Sequence, residues 1–148
     1  MACLYDANVW VALAFAAHPH HGIASEHFQL RDSAQPAAFC RVTQQAFLRL
    51  VSTPVIQRTY GSSLITNADA WAKCRDLLAL PQVLWLDEPP DFVDQWSLLA
   101  ELSSASPKVW TDAYLAAFAI GHDVELVTID SDFKNFEKAS LKLHLLAP

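Results

Sequence analysis

Ala2-Cys3-Leu4-Tyr5-Asp6-Ala7-Asn8-Val9-Trp10 opens the chain with a short apolar run that ends on a carboxylate. Ala2–Tyr5 reads as a buried strand and Ala7–Ala17 as the helix that follows it. The same arrangement recurs near the far end, where Leu126-Val127-Thr128-Ile129 runs into Asp130. A third acid, Asp112, stands early in the helical stretch Pro107–Ile120, which is apolar from Ala113 onward. No Lys or Arg adjoins any of the three in sequence.

Between these ends the segments alternate in type. His21–Arg31 predicts a second helix with Ile23, His27 and Leu30 on one side. Ala37–Cys40 predicts a strand, followed by a helix over Thr43–Ser52 that Pro54 stops. Asn67–Leu80 is helical, with Thr66 as its cap and Trp71, Cys74, Leu77 and Leu78 at helical spacing. Val83–Leu86 is a strand and Asp91–Ser103 an amphipathic helix. Ser106-Pro107 starts a helix ending near Gly121. Glu125–Ile129 and Leu141–Leu145 complete the strands. Strands separated by helices predict an α/β fold, a mainly parallel central sheet flanked by helices in three layers. Sites in such sheets form beyond the carboxyl ends of the strands. Asp6 and Asp130 both stand there, and Asp112 reaches the same crevice if its helix packs beside the first strand.

With 148 residues, 53% of them hydrophobic and only three Gly, the chain is expected to form one domain over residues 1–148. Cys3, Cys40 and Cys74 are odd in number and far apart, which predicts no disulfide framework or zinc ribbon and a reducing, cytoplasmic setting. Val9–Ala17 is too short for a bilayer span, so no membrane association is expected. The net charge of −6 excludes binding of nucleic acid by bulk charge alone.

Three carboxylates converging without a cation repel one another. At an effective dielectric of about 20, two charges 4 Å apart cost roughly 4 kcal/mol. A divalent ion is the usual compensation, and hard oxygen ligands favour Mg2+, or Mn2+ in its place. Phosphodiester hydrolysis is the chemistry such a centre suits.

Four segments together resemble the PIN-domain ribonucleases, and within them the VapC toxins of toxin–antitoxin pairs. They are Leu4-Tyr5-Asp6-Ala7-Asn8-Val9-Trp10, Cys40-Arg41-Val42-Thr43-Gln44-Gln45-Ala46-Phe47-Leu48-Arg49, Trp110-Thr111-Asp112-Ala113-Tyr114-Leu115 and Val127-Thr128-Ile129-Asp130-Ser131-Asp132-Phe133. They occur in the family's order, so the resemblance covers essentially the whole chain. It implies a PIN-like fold and a magnesium-dependent endoribonuclease, the toxin of a type II pair, that inhibits translation. It also implies a VapB-like antitoxin that reaches the aspartates with an Arg or Lys, and a homodimer. Asp6, Asp112 and Asp130 become the catalytic metal ligands. Asn8, Gln44, Thr128 and Asp132 become supporting residues. Gln44 departs from the Glu that many relatives carry. It cannot act as a base, though its carbonyl oxygen could orient a water.

Each residue has a plainer reading as well. Asp6 could only cap the helix after it, Asn8 could face solvent, and Asp132 could only cap the turn before Phe133. His18, His20 and His21 read as a helix start, because Pro19 breaks ligand spacing. The five Trp read mostly as packing. Arg41, Arg49 and Arg58 are a candidate phosphate strip or a solvated face. A haloacid-dehalogenase-type phosphatase would need a second Asp where Asn8 stands. A PIN-like module that binds RNA or a partner without cutting is the alternative that Gln44 keeps open.

Overall fold

Cys3 lies opposite Ala37 on one side and opposite Glu125 on the other, which makes the first strand the centre of the sheet. The computed structural model describes residues 1–147; Pro148, the end of the expected span, lies outside them. Five strands, β1 (Cys3–Tyr5), β2 (Ala37–Phe39), β3 (Val83–Trp85), β4 (Glu125–Thr128) and β5 (Leu143–Leu145), stand in the order β3-β2-β1-β4-β5. Every pair is parallel. The helices are α1 (Ala7–Ala14), α2 (His21–Gln29), α3 (Arg41–Val51), α4 (Pro54–Thr59), α5 (Asn67–Leu78), α6 (Phe92–Ala100) and α7 (Pro107–His122).

Alternation along the strands divides the core. Cys3, Tyr5, Ala37, Phe39 and Val127 face α1, α2, α3 and α5. Leu4, Ala38 and Leu126 face α6 and α7. Burial on both faces explains why the central strands read as continuous apolar runs. Trp10 fills the first layer, stacked on Phe39 with ring centroids 3.9 Å apart and planes 6° apart. His27 is also buried there, and burial, with Arg31 and His144 nearby, pushes its imidazole down to about 4. The ring is neutral at physiological pH.

The three-layer arrangement agrees with the sequence reading, and the departures have physical causes. Pro54 does not merely stop a helix. It opens α4 at a first-turn position, where its missing N–H costs nothing. Asp130, not Asp132, caps the segment before Phe133. Its Oδ1 accepts the Asp132 amide at 2.9 Å and starts a 3-10 helix over Ser131–Ala139 that apolar periodicity did not reveal. Helix α7 ends at His122, one residue past Gly121, and Asp123, with φ of 53°, supplies the left-handed cap. Gly121 serves close packing instead, since a Cβ there would meet Pro89 at 2.6 Å. Leu30 is exposed because α2 stops at Gln29. Trp71 and Trp110 are 47% and 54% exposed, so packing is the wrong reading for them. His20 and His21 do form a helix start, where the His20 amide donates to His18 Nδ1.

From β1 the chain builds outward to β2 and β3, then crosses to β4 and β5 on the other side. The crevice outside the carboxyl ends of β1 and β4 lies where that direction reverses.

Candidate active site

Asp6 directly follows β1, and its amide donates to the Val127 carbonyl at 2.9 Å, so the backbone ladder clamps it against β4. Although Asp6 occupies the cap position of α1, its side chain makes no capping bond. It accepts instead from Thr128 Oγ1 at 2.7 Å. The same hydroxyl oxygen accepts the Asp130 amide at 3.0 Å and Asn8 Nδ2 at 3.3 Å. Asn8 Oδ1 in turn accepts the Ile129 amide at 3.3 Å, so Asn8 fastens α1 to the end of β4 and does not face solvent. One fully buried hydroxyl thus uses its proton and both lone pairs to hold Asp6, Asn8 and Asp130 in fixed relation.

Replacing Thr128 by Val keeps the shape and strands those three partners. An unpaired buried polar group costs about 1–3 kcal/mol, so Thr128→Val should lower stability by about 2 kcal/mol, read as a lower denaturant midpoint. Thr128→Ser should restore most of it.

Asp112 comes from the second turn of α7. Its neighbour one turn back, Lys108, corrects the expectation of an acidic cluster without a cation. Lys108 Nζ lies 2.8 Å from Asp130 Oδ2, 2.6 Å from Asp132 Oδ2 and 3.8 Å from Asp112 Oδ2. The i,i+4 spacing within one helix was the signal that could have found it. A single ammonium group therefore sits among three carboxylates, and Asp6 is coupled to two of them.

The charges respond accordingly. Burial pushes the Asp6 carboxyl up to about 6; the Thr128 hydroxyl and the Ala7 amide oppose this, while Asp112 and Asp130 add to it. Asp112 is also raised, chiefly by burial and partly by Asp130 and Asp132, against the pull of Lys108. Burial would raise Asp130 too, but its bonds to Lys108 and to the Asp132 amide outweigh that and hold it below the usual carboxylate range. The closer contact of Lys108 with Asp130 explains why two neighbouring acids move in opposite directions.

Gln44 is buried, and its polar atoms are engaged by Arg41 and Cys74. Its Oε1 accepts Arg41 Nη1 at 2.5 Å, and Nε2 approaches Cys74 Sγ at 3.7 Å. Arg41 also lies over the Trp85 ring, 4.5 Å from its centroid, a pairing the sequence reading did not reach. Arg49 and Arg58 are exposed. Beside the acids runs a groove of about 600 Å³, lined by Leu98, Leu99 and Leu102 on α6 and its end and by Lys108, Asp112 and Asp132. Among the described residues no helix is long and apolar enough to cross a membrane.

A family model described as the PIN domain matches residues 3–139. Ribonuclease VapC41 of Mycobacterium tuberculosis is 39% identical over 97% of this chain and 98% of its own. Ribonuclease VapC29 of the same organism is 30% identical over 88% of this chain and 87% of its own. Among solved structures, VapBC2 from Rickettsia felis bound to a promoter DNA fragment superposes with a TM-score of 0.65. That match has 16% identity and covers 99% of this chain and 100% of the other. The chain belongs to the PIN-domain family, among its VapC members.

Proposed function

We propose that this chain is a magnesium-dependent endoribonuclease, the toxin of a type II toxin–antitoxin pair, acting in the cytoplasm as one domain to inhibit translation. The observation that supports the reading is a chain of contacts at the carboxyl ends of β1 and β4: the Thr128 hydroxyl links Asp6 to the Asp130 amide, and the Lys108 ammonium bridges Asp130 to Asp112. That ammonium occupies a place where positive charge is wanted, and the donor set is carboxylate oxygen, which suits Mg2+ or Mn2+. When bound, such an ion supplies Lewis-acid activation of the phosphate and a more acidic water.

The chain's own residues do the rest. Asp6, Asp112 and Asp130 would supply the carboxylate oxygens for the ion. Thr128 and Asn8 keep Asp6 and Asp130 from turning away from it. Asp130, once freed of Lys108, would orient the attacking water, and Asp132 offers Lys108 a second carboxylate. Gln44 supports Arg41 at the crevice margin, where Arg41 and Trp85 offer a cation and a ring to RNA.

Incubating the protein with structured RNA tests this directly. Cleavage should require Mg2+ or Mn2+, stop on chelation, and disappear in Asp112→Asn. The triple bridge of Lys108 favours a second reading, a module that binds RNA or a partner without cutting, with Lys108 as its permanent cation. Binding without cleavage at any metal concentration would select it. If the ion must displace Lys108, Lys108→Ala should tighten Mg2+ binding by roughly fivefold, the modest effect of one exposed charge. Calorimetry would read that change.

For partners, the groove beside the acids has Leu98 75% and Leu102 51% exposed. It suits an apolar segment of a VapB-like antitoxin whose Arg or Lys reaches the carboxylates. Val55, Leu64 and Trp71, exposed on and between α4 and α5, offer apolar surface for a homodimer.

A further inference from the structure

His27, Glu125 and His144 come together toward the amino ends of the strands, away from the acids just described. One ligand atom from each lies within 4.8 Å of the other two. We propose that these three residues form a second metal site, for an imidazole-seeking divalent transition ion such as Zn2+, that ties α2, β4 and β5 together.

Three elements supply the ligands. Glu125 is the first residue of β4, and His144 is the middle residue of β5, the edge strand beside it. His27 projects from α2 across the same face. His144 Nδ1 already lies 3.4 Å from Glu125 Oε1. The two imidazole rings meet edge-on, with centroids 4.7 Å apart at 76°. A tetrahedral zinc site with bonds of about 2.0–2.1 Å places its ligand atoms roughly 3.3 Å apart. The cluster is therefore close to that spacing, and His144, on an edge strand and 44% exposed, has room to close it.

The support behind the ligands is of the kind such sites use. The Tyr5 hydroxyl, fully buried, is hydrogen-bonded to His27 Nδ1 at 2.5 Å. That bond fixes the ring and leaves Nε2 for an ion, as a hydrogen bond to the other nitrogen does for metal-bound histidine. The nearby cation, Arg31, is engaged by the His27 carbonyl and by Cys3 Sγ. A cavity of about 320 Å³, lined in part by Cys3, His27, Glu125 and His144, leaves space for water as a fourth ligand. Two His and one Glu with an open position select Zn2+ and its neighbours over Mg2+. This inference does not depend on the nuclease reading.

The test is a Zn2+ titration by calorimetry on the full chain carrying Asp6→Asn and Asp112→Asn, which weakens competition from the acidic crevice. One Zn2+ per chain should bind, and adding His144→Ala should weaken it at least a hundredfold. Glu125→Gln, which preserves shape, should also weaken binding if His144→Ala fails to fold. In imidazole nitrogen spectra, Zn2+ should move the resonances of His27 and His144 and leave those of His18, His20 and His21 in place. The melting temperature should rise with Zn2+ only when His144 is present. No Zn2+ uptake, uptake unchanged in both variants, or shifts confined to His18, His20 and His21 would overturn the proposal.

Discussion

Asp6→Asn should lower RNA cleavage on the order of a thousandfold, equivalent to about 4 kcal/mol of barrier, while making the protein more stable. The two effects share one cause. Asp6 is held against β4 with its carboxylate largely removed from water and facing two further acids. Asn keeps an oxygen for the Thr128 hydroxyl and removes the charge that burial penalises. The carboxyl is raised from 3.8 to about 6 by the fold, so the metal-free protein binds an extra proton between those values. For a group raised in this direction, the stabilising contribution is fully present below the unfolded value and is lost as pH rises through about 6. Metal-free wild type should therefore gain stability when acidified from pH 7 to 5, and Asp6→Asn should lack that slope. At pH 7 the substitution should add up to about 3 kcal/mol, or a melting temperature roughly 5–10 °C higher. Mg2+ should reverse the order by stabilising only the wild type. A cleavage loss with no gain in stability would mean Asp6 is not held as a buried charge.

Trp10→Ala should produce the largest loss of stability, about 3–5 kcal/mol and roughly 10–15 °C in melting temperature. Trp10 is fully buried, stacked on Phe39 and in contact range of Tyr5 and Phe28, so little around it can collapse into the space. Tyr5 precedes Asp6 and the Trp10 amide donates to the Asp6 carbonyl at 3.4 Å, so the cavity should also loosen the backbone that holds that carboxylate. Trp10→Phe should cost much less than the lost volume implies. The Trp10 indole N–H finds no acceptor among the described residues, and Phe removes that buried donor. Thermal unfolding of the two variants side by side would measure the difference.

The legible parts of this chain are those where one local rule dominates. Strands buried on both faces spell themselves as Cys3-Leu4-Tyr5 and Leu126-Val127, and the Thr66 cap of α5 is made as the sequence suggests, its oxygen accepting the Asp69 amide at 3.1 Å. The positions of Asp6 and Asp130 followed from strand ends, and parallel order then brought them together. What escaped depends on contacts between distant segments or on weak periodicity. Lys108 meets Asp112 within its own helix, but its closer contacts with Asp130 and Asp132 arise because α7 lies beside the end of β4. Gln44 bonds Arg41 within its own helix, while its contact with Cys74 comes from packing against α5 and has no signal in the motif. The 3-10 segment after Asp130 has too short a repeat to declare itself, and the His27, Glu125 and His144 group unites three elements with no common motif.

The central position of β1 has a consequence for synthesis. A ribosome delivers Cys3–Tyr5 well before the partner strand Glu125–Thr128. Asp112 and Asp130 arrive equally late. Until then β1 can pair with β2 alone and Asp6 lacks its site partners, and pairing of such remote segments is slow to complete. On the proposed function, the acidic site is incomplete until β4 and the residues after it have been made.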